Sequence, residues 1–228
     1  MSYEGTIVVD GVDYGHRLPR GRHGIPHETV IANQRERLLD AATAVFGEQG
    51  YASLSVANVI ERAGVSRGTF YKLFENKSDC LLAAQQRAFG RLHEAIEAAC
   101  SPAEEWPLGV SAAVNAVLDF AAASPDETRL ILASSHPAAE PELARDGISL
   151  NRWLIDLLRD SSKRHPDARS PNDLTEQASV GAAVSIVGTI LSDQRIGRMP
   201  DLTATLVQII LAPYLGGDEA LRIARAAG

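Results

Sequence analysis

Ser53-Leu-Ser-Val-Ala-Asn-Val-Ile-Glu-Arg-Ala-Gly-Val-Ser-Arg-Gly-Thr-Phe-Tyr-Lys-Leu-Phe-Glu-Asn-Lys77 reads as two short helices joined by Ala63-Gly64-Val65, with a third helix starting directly after them. Gly64 stands where the first helix must stop, because a residue without a Cβ enters the left-handed region that ends a helix. Ser66 is placed to cap the next helix, its hydroxyl accepting a backbone N–H. In that second helix Val65, Phe70 and Leu73 or Phe74 recur at helical spacing and face inward. The pairs Arg67/Tyr71 and Gly68/Lys72 each lie one turn apart on the opposite side. That outer face holds a guanidinium, an ammonium, a hydroxyl and one residue with no side chain. It suits close approach to a polyanion, and two helices in this arrangement set such a face in a DNA major groove. The pattern is that of a helix-turn-helix reader.

The same segment resembles the DNA-binding module of the TetR family of bacterial regulators. The resemblance is carried by Val59-Ile60-Glu61-Arg62-Ala63-Gly64-Val65-Ser66, by Gly68-Thr69-Phe70-Tyr71 and by Phe74-Glu75-Asn76-Lys77. Leu38-Leu39-Asp40-Ala41-Ala42 and Phe46-Gly47-Glu48-Gln49-Gly50-Tyr51 precede them, and together they cover roughly a fifth of the chain. The resemblance implies an all-α protein with an N-terminal three-helix DNA-binding domain and a larger C-terminal helical domain for effector binding and dimerisation. It further implies a homodimeric repressor, released from a palindromic operator by a small molecule.

Three regions are expected: an arm over 1–26, the reading head over 27–80 and the effector and dimerisation domain over 81–228. In the arm, Ile7 to Tyr14 has the pattern of a small hairpin around Asp10-Gly11, a pairing that is marginal by itself in water. Pro19-Arg20-Gly21-Arg22 resembles an AT-hook, with Arg20 and Arg22 as candidates for a narrow minor groove. The alternative is a solvated basic tail. In the head, the first helix presents Ile31, Leu38, Leu39, Ala42, Val45 and Phe46 as an inner stripe. Arg35 and Arg37 are candidates for phosphate contacts, as are Ser55 and Lys77 at helix starts, Lys77 following the cap residue Asn76. Ser66, Gly68, Tyr71 and Lys72 complete the backbone-facing set, while Arg67 and Thr69 are candidates for base edges.

The chain of 228 residues has a net charge of −7, which taken alone opposes DNA binding. The charge is unevenly placed. Between Arg17 and Lys77 nine Lys/Arg stand against six Asp/Glu, whereas from Leu81 onward thirteen stand against nineteen. Positive potential is therefore local to the head. No apolar run is expected to reach the roughly 18 residues needed to cross a bilayer, and no signal peptide is recognised at the start, so a cytoplasmic protein is expected. Cys80 and Cys100 fall on one expected helix, about 30 Å apart at 1.5 Å per residue, too far for a disulfide.

Beyond the head, helices are expected near 76–100, 106–123, 127–135, 140–165, 173–195 and 200–214, with a short one after Gly217, and prolines punctuate them. Gly181, Ser185 and Gly188 lie along one side of one helix, and Leu202, Leu206, Ile209 and Ile210 line the next. Small residues opposite branched aliphatics allow close helix packing, so these seven are the candidate dimer interface; intrachain core is the alternative. An apolar effector cavity is expected among the middle helices, with Phe89, His93, Trp106, Asn115, Phe120, Arg129, His136 and Trp153 as candidate walls. The six histidines show no metal-ligand spacing, and Ser134-Ser135-His136 has no nucleophile elbow, so neither a metal, a cofactor nor an enzyme is expected. Two other functions compete with the ligand-released repressor: a DNA-binding regulator without a small-molecule ligand, and a helical interaction protein.

Overall fold

The computed structural model describes residues 8–9, 12–13, 26–101, 103, 105–133, 149–163 and 165–227. The candidates Arg20, Arg22 and His136 lie outside these residues. Val8–Val9 and Val12–Asp13 pair antiparallel, with Val9 opposite Val12, which is the pairing expected around Asp10-Gly11. All other regular structure among the described residues is helical. The chain divides into two units, Met1–Ala84 and Gln85–Gly228, with the boundary four residues beyond the one expected and inside a helix.

The first unit contains α1 (His27–Ser53), α2 (Val56–Ala63), α3 (Arg67–Leu73) and the first turns of α4 (Lys77–Cys100). Gly50, at φ +73°, breaks α1 near its end. Leu38, Leu39, Ala42 and Val45 are buried against Val59, Ala63, Phe70, Phe74 and Leu81, so most of the expected stripe is core. Ile31 is not: it is 37% exposed, because the core begins at Leu38, about two turns further along α1. Phe46 is half-buried. The ends of the short helices are fixed by side chains. Ser55 caps α2 by accepting from Asn58 N at 3.2 Å, Ser66 caps α3 by accepting from Thr69 N at 3.0 Å, and Gly64 closes α2 at φ +64°. Asn76 accepts from Asp79 N at 2.9 Å while Asp79 accepts from Glu75 N at 2.9 Å, so side chains occupy two backbone donors at the start of α4.

The second unit continues α4 and adds α5 (Trp106–Ala123), α6 (Pro125–Ala133), α7 (Leu150–Ser162), α8 (Asp173–Ser192), α9 (Thr203–Leu215) and α10 (Gly217–Ala227). Of two 3₁₀ turns, Ile196–Arg198 lies between two expected helices and Pro200–Leu202 takes up the start of the one expected over 200–214. Contrary to expectation, α5 and α8 are each long and apolar enough to cross a membrane. Their apolar faces are instead packed into this unit's core, through Val110, Val114, Leu118 and Ala121 on α5 and Val180, Val184, Val187 and Leu191 on α8. A buried polar knot ties α7, α8 and α9 together. Glu176, 3% exposed, accepts from Tyr214 Oη at 2.9 Å and from Arg159 Nε at 3.1 Å. Burial, and then the bond to Glu176, push the Tyr214 phenol above its ordinary value, while the bond to Glu176 raises the Arg159 guanidinium.

Candidate nucleic-acid interface and ligand cavity

Helix α3 is seven residues long and stands on Phe70, which is fully buried, with Phe74 at 5% exposure just beyond its end. Those two rings touch at a centroid distance of 5.8 Å and leave the opposite face outward. Ser66, Arg67, Gly68, Tyr71 and Lys72 are all exposed there, Tyr71 at 51%. Arg67 lies over the Tyr71 ring at 5.9 Å, and Lys72 makes no hydrogen bond or ion pair with the described residues. Thr69 is half-buried, and its hydroxyl pairs with that of Ser66 at 2.9 Å. Gly68 is informative for what it lacks. A Cβ built there would meet nothing nearer than Ser66 Oγ at 3.8 Å, so the protein's own packing has no need of a glycine. Glycine inside a helix is less stable than alanine, and the bare backbone gains meaning only if something outside comes close.

The remaining candidates in this unit divide. Arg35 is exposed, 3.7 Å from Glu36 and 5.7 Å from the Phe74 ring centroid, and is free to turn outward. Ser55 uses its hydroxyl as a helix cap. Arg37 is already engaged: it donates to the carbonyls of Ala63 and Gly64, closing the end of α2, and is corrected from phosphate contact to strut. Lys77 likewise donates to Leu54 O at 3.0 Å and lies 4.4 Å from the Tyr51 ring centroid, so its ammonium serves as a brace in this structure. Arg62 and Glu48 form a bidentate pair at 2.7 and 2.8 Å between α2 and α1, and Arg62's bond holds the Glu48 carboxyl below its ordinary value.

The second unit encloses a cavity of about 930 Å³. Trp106, Val110, Ala113, Val114, Val117 and Phe120 of α5 line it, with Leu154 and Leu158 of α7, Val180, Ala183, Val184 and Val187 of α8, and Leu206 and Ile210 of α9. Of the eight candidate wall residues, Trp106 and Phe120 are among its lining. Phe89 and His93 pack instead on Trp153, at 5.2 Å each. Asn115 accepts from the Thr203 hydroxyl at 2.7 Å, and Arg129 pairs with Asp126 at 2.7 Å. The expectation favoured aromatic and polar residues, whereas the wall is made of small and branched aliphatics. The missed signal was the stripe on α5, whose apolar positions recur every three or four residues and alternate large with small.

The expected interface residues are also sorted. A side chain at Gly181 would meet nothing within 4 Å, and Ser185 is exposed. Gly188 faces Leu132, whose Cδ1 would lie 3.6 Å from an added Cβ. Leu202, Ile209 and Ile210 are half-buried, but Leu206 is 3% exposed and belongs to the core and the cavity wall, so it is removed from the interface. Among the described residues, no group of three His, Cys, Asp or Glu is placed to hold a metal ion.

Residues 38–84 match the family model described as bacterial regulatory proteins, tetR family. The chain carries a TetR-family DNA-binding domain. It is 31% identical over 130 residues to the transcriptional activator FasR of Mycolicibacterium smegmatis, a match covering 57% of this chain and 54% of that one. The chain thus spans about half the length of that relative. Two solved structures share the fold. The fatty acid degradation regulator FadR of Bacillus halodurans has a TM-score of 0.65 at 22% identity, covering 78% of this chain and 94% of that one. The Bacillus subtilis FadR in complex with stearoyl-CoA has a TM-score of 0.64 at 19% identity, covering 80% of this chain and 98% of that one.

Proposed function

We propose that this protein is a cytoplasmic, homodimeric transcriptional regulator that binds a palindromic operator through α3 and is released when an apolar effector fills the cavity of the second unit. The observation that carries the reading is the outer face of α3, where Arg67, Gly68, Tyr71 and Lys72 project from a helix held by Phe70. Arg67 and Thr69 are assigned to base edges, and Ser66, Tyr71 and Lys72 to phosphates. Ser55, Arg35 and Lys77 are assigned to flanking phosphates, Lys77 on condition that its ammonium leaves Leu54. The outward side of α8 around Gly181 and Ser185 is assigned to the dimer. Two heads are needed because one short helix makes too few contacts, and their spacing on the duplex must be about 34–36 Å or a multiple of it.

The effector assignment rests on the aliphatic cavity, and the stearoyl-CoA bound by the B. subtilis neighbour supports an occupant with a long apolar chain. For release, that molecule must bind the DNA-free state more tightly, with a coupling of about 1–3 kcal/mol. The α4 helix supplies residues to both units and is the element through which that coupling passes. The operator is found by selecting bound fragments from the host genome. On it, Arg67→Ala is expected to cost about 1–3 kcal/mol at one base position, and Lys72→Ala to lower the salt slope by about one unit at every site. Gly181→Leu, whose Cβ meets no described atom within 4 Å, is expected to separate the dimer in sedimentation and weaken the full site together. A monomeric variant that binds the full site unchanged defeats the dimer, and unchanged binding by both α3 variants defeats the interface.

A further inference from the structure

The cavity has two unlike ends, and they specify more than an apolar occupant. Its α5 wall runs from Trp106 to Phe120, fourteen residues or about 21 Å of helix. At the Trp106 end, Ser101, Glu105, Leu157 and Pro166 are exposed, so the space opens there. At the Phe120 end, Thr128, Ile131 and Val187 are buried, so it is shut. Helix α8 runs in the same sense as α5. Its start is tied by Asp173 and Glu176 to Arg159 near the end of α7, and its later turns reach α6, where Gly188 faces Leu132. The open end is also the polar end. Trp106 Nε1 donates to Ser161 Oγ at 2.8 Å, and Ser101 and Glu105 add further polar groups to the lining there.

We infer that the cavity is a one-ended slot for a straight-chain amphiphile, its polar head at Ser101 and Ser161 and its tail stopped near Thr128, Ile131 and Val187. This rests on the effector reading above and adds orientation and length. An extended chain advances about 1.2 Å per bond, so 21 Å takes about 17 bonds, a chain of about 16–18 carbons. The walls between the ends are aliphatic, as a chain of methylenes requires, and each added methylene that finds wall strengthens binding about fourfold. Val187 is the length-determining residue at the closed end. Ala183, one turn nearer the mouth on α8, sets the point at which a plug would leave about 15 Å of depth.

The test is calorimetry on the intact protein with two probe series, 1-alkanols and acyl-CoA thioesters, from about 8 to about 20 carbons. A shared optimum near 16–18 carbons is expected in whichever series binds, and the stronger series identifies the head. Val187→Phe should shorten the optimum, and Ala183→Phe should shorten it by about five carbons more, the length of about 6 Å of helix. Val187→Ala only removes atoms and should lengthen it, which keeps the test open if the bulky variants fail to fold. Affinity that ignores chain length, or an optimum that stays fixed in all folded variants, overturns the slot. Binding by neither series at any length overturns it too, while operator binding, read by salt titration, decides the proposed function separately.

Discussion

Phe70 and Phe74 fill the middle of the first unit at 0% and 5% exposure, while in the second Trp106 and Phe120 stand at opposite ends of about 930 Å³ of space. One unit is solid within and carries its chemistry on an outer face. The other carries its chemistry in what its core leaves empty. The difference explains how one chain can hold both. A short helix such as α3 presents a fixed face only if everything beneath it is packed, whereas a ligand needs walls that forgo part of their own packing.

The largest expected effect tests that contrast directly. Leu39→Ala in the solid unit should cost about 3 kcal/mol, the ordinary effect of emptying a buried leucine site. Leu154→Ala on the slot wall should cost nearer to about 1 kcal/mol, because part of that side chain already faces space. Denaturant unfolding of both variants measures this, and equal costs would mean that the slot is collapsed in solution. A smaller effect comes from Gly68→Ala. It should stabilise the first unit by about 0.5 kcal/mol and yet weaken operator binding, a pairing of opposite signs that ordinary core or surface positions do not give. A variant that is stabilised and binds normally would show that nothing approaches the α3 backbone closely. The smallest effect is acidic. Arg62's hydrogen bond holds the Glu48 carboxyl below its ordinary value, so its contribution is present above the usual glutamate range and lost as pH falls through the lowered one. Glu48→Gln should therefore remove part of the acid sensitivity of the first unit, read by thermal melts over that range. An identical pH profile would leave the pair without influence on folding.

The helices of the first unit from α1 to the start of α4 are legible in the sequence, because caps and inward-facing rings recur there at fixed spacing. Gly64, Ser66 and Asn76 mark helix ends by chemistry that sequence alone displays, and Phe70 fixes which side of α3 is outside. What a sequence does not show is where a long side chain ends up. Arg37 and Lys77 are cations like Lys72, but their reach lets them close a helix end and brace a carbonyl within the chain. In the second unit Trp106–Ala123 coincides with the expected 106–123, whereas the helix expected over 140–165 begins only at Leu150, after the Ser149 cap. Which residues these helices turn inward is less legible. Leu206 and Ile209 look alike in sequence, and only the roll of α9 buries one and half-exposes the other. A cavity is a property of several helices at once, and Ala113 or Val117 announces it no more than any core residue does.

Cys80 and Cys100, neither in a disulfide, lie in the first and last turns of one helix and belong to different units. Cys80 is 1% exposed, with its sulfur 3.9 Å from Leu38 O, whereas Cys100 is half-buried and borders the slot. Burial raises the Cys100 thiol above its ordinary value, so its alkylation is slow and limited by access. The chain therefore contains two clocks. The labelling rate at Cys80 times the opening of the reading head, and that at Cys100 times the vacancy of the slot. Followed together in a single mass-spectrometric time course, they would report whether an occupant that protects the second thiol also changes how often the first is exposed.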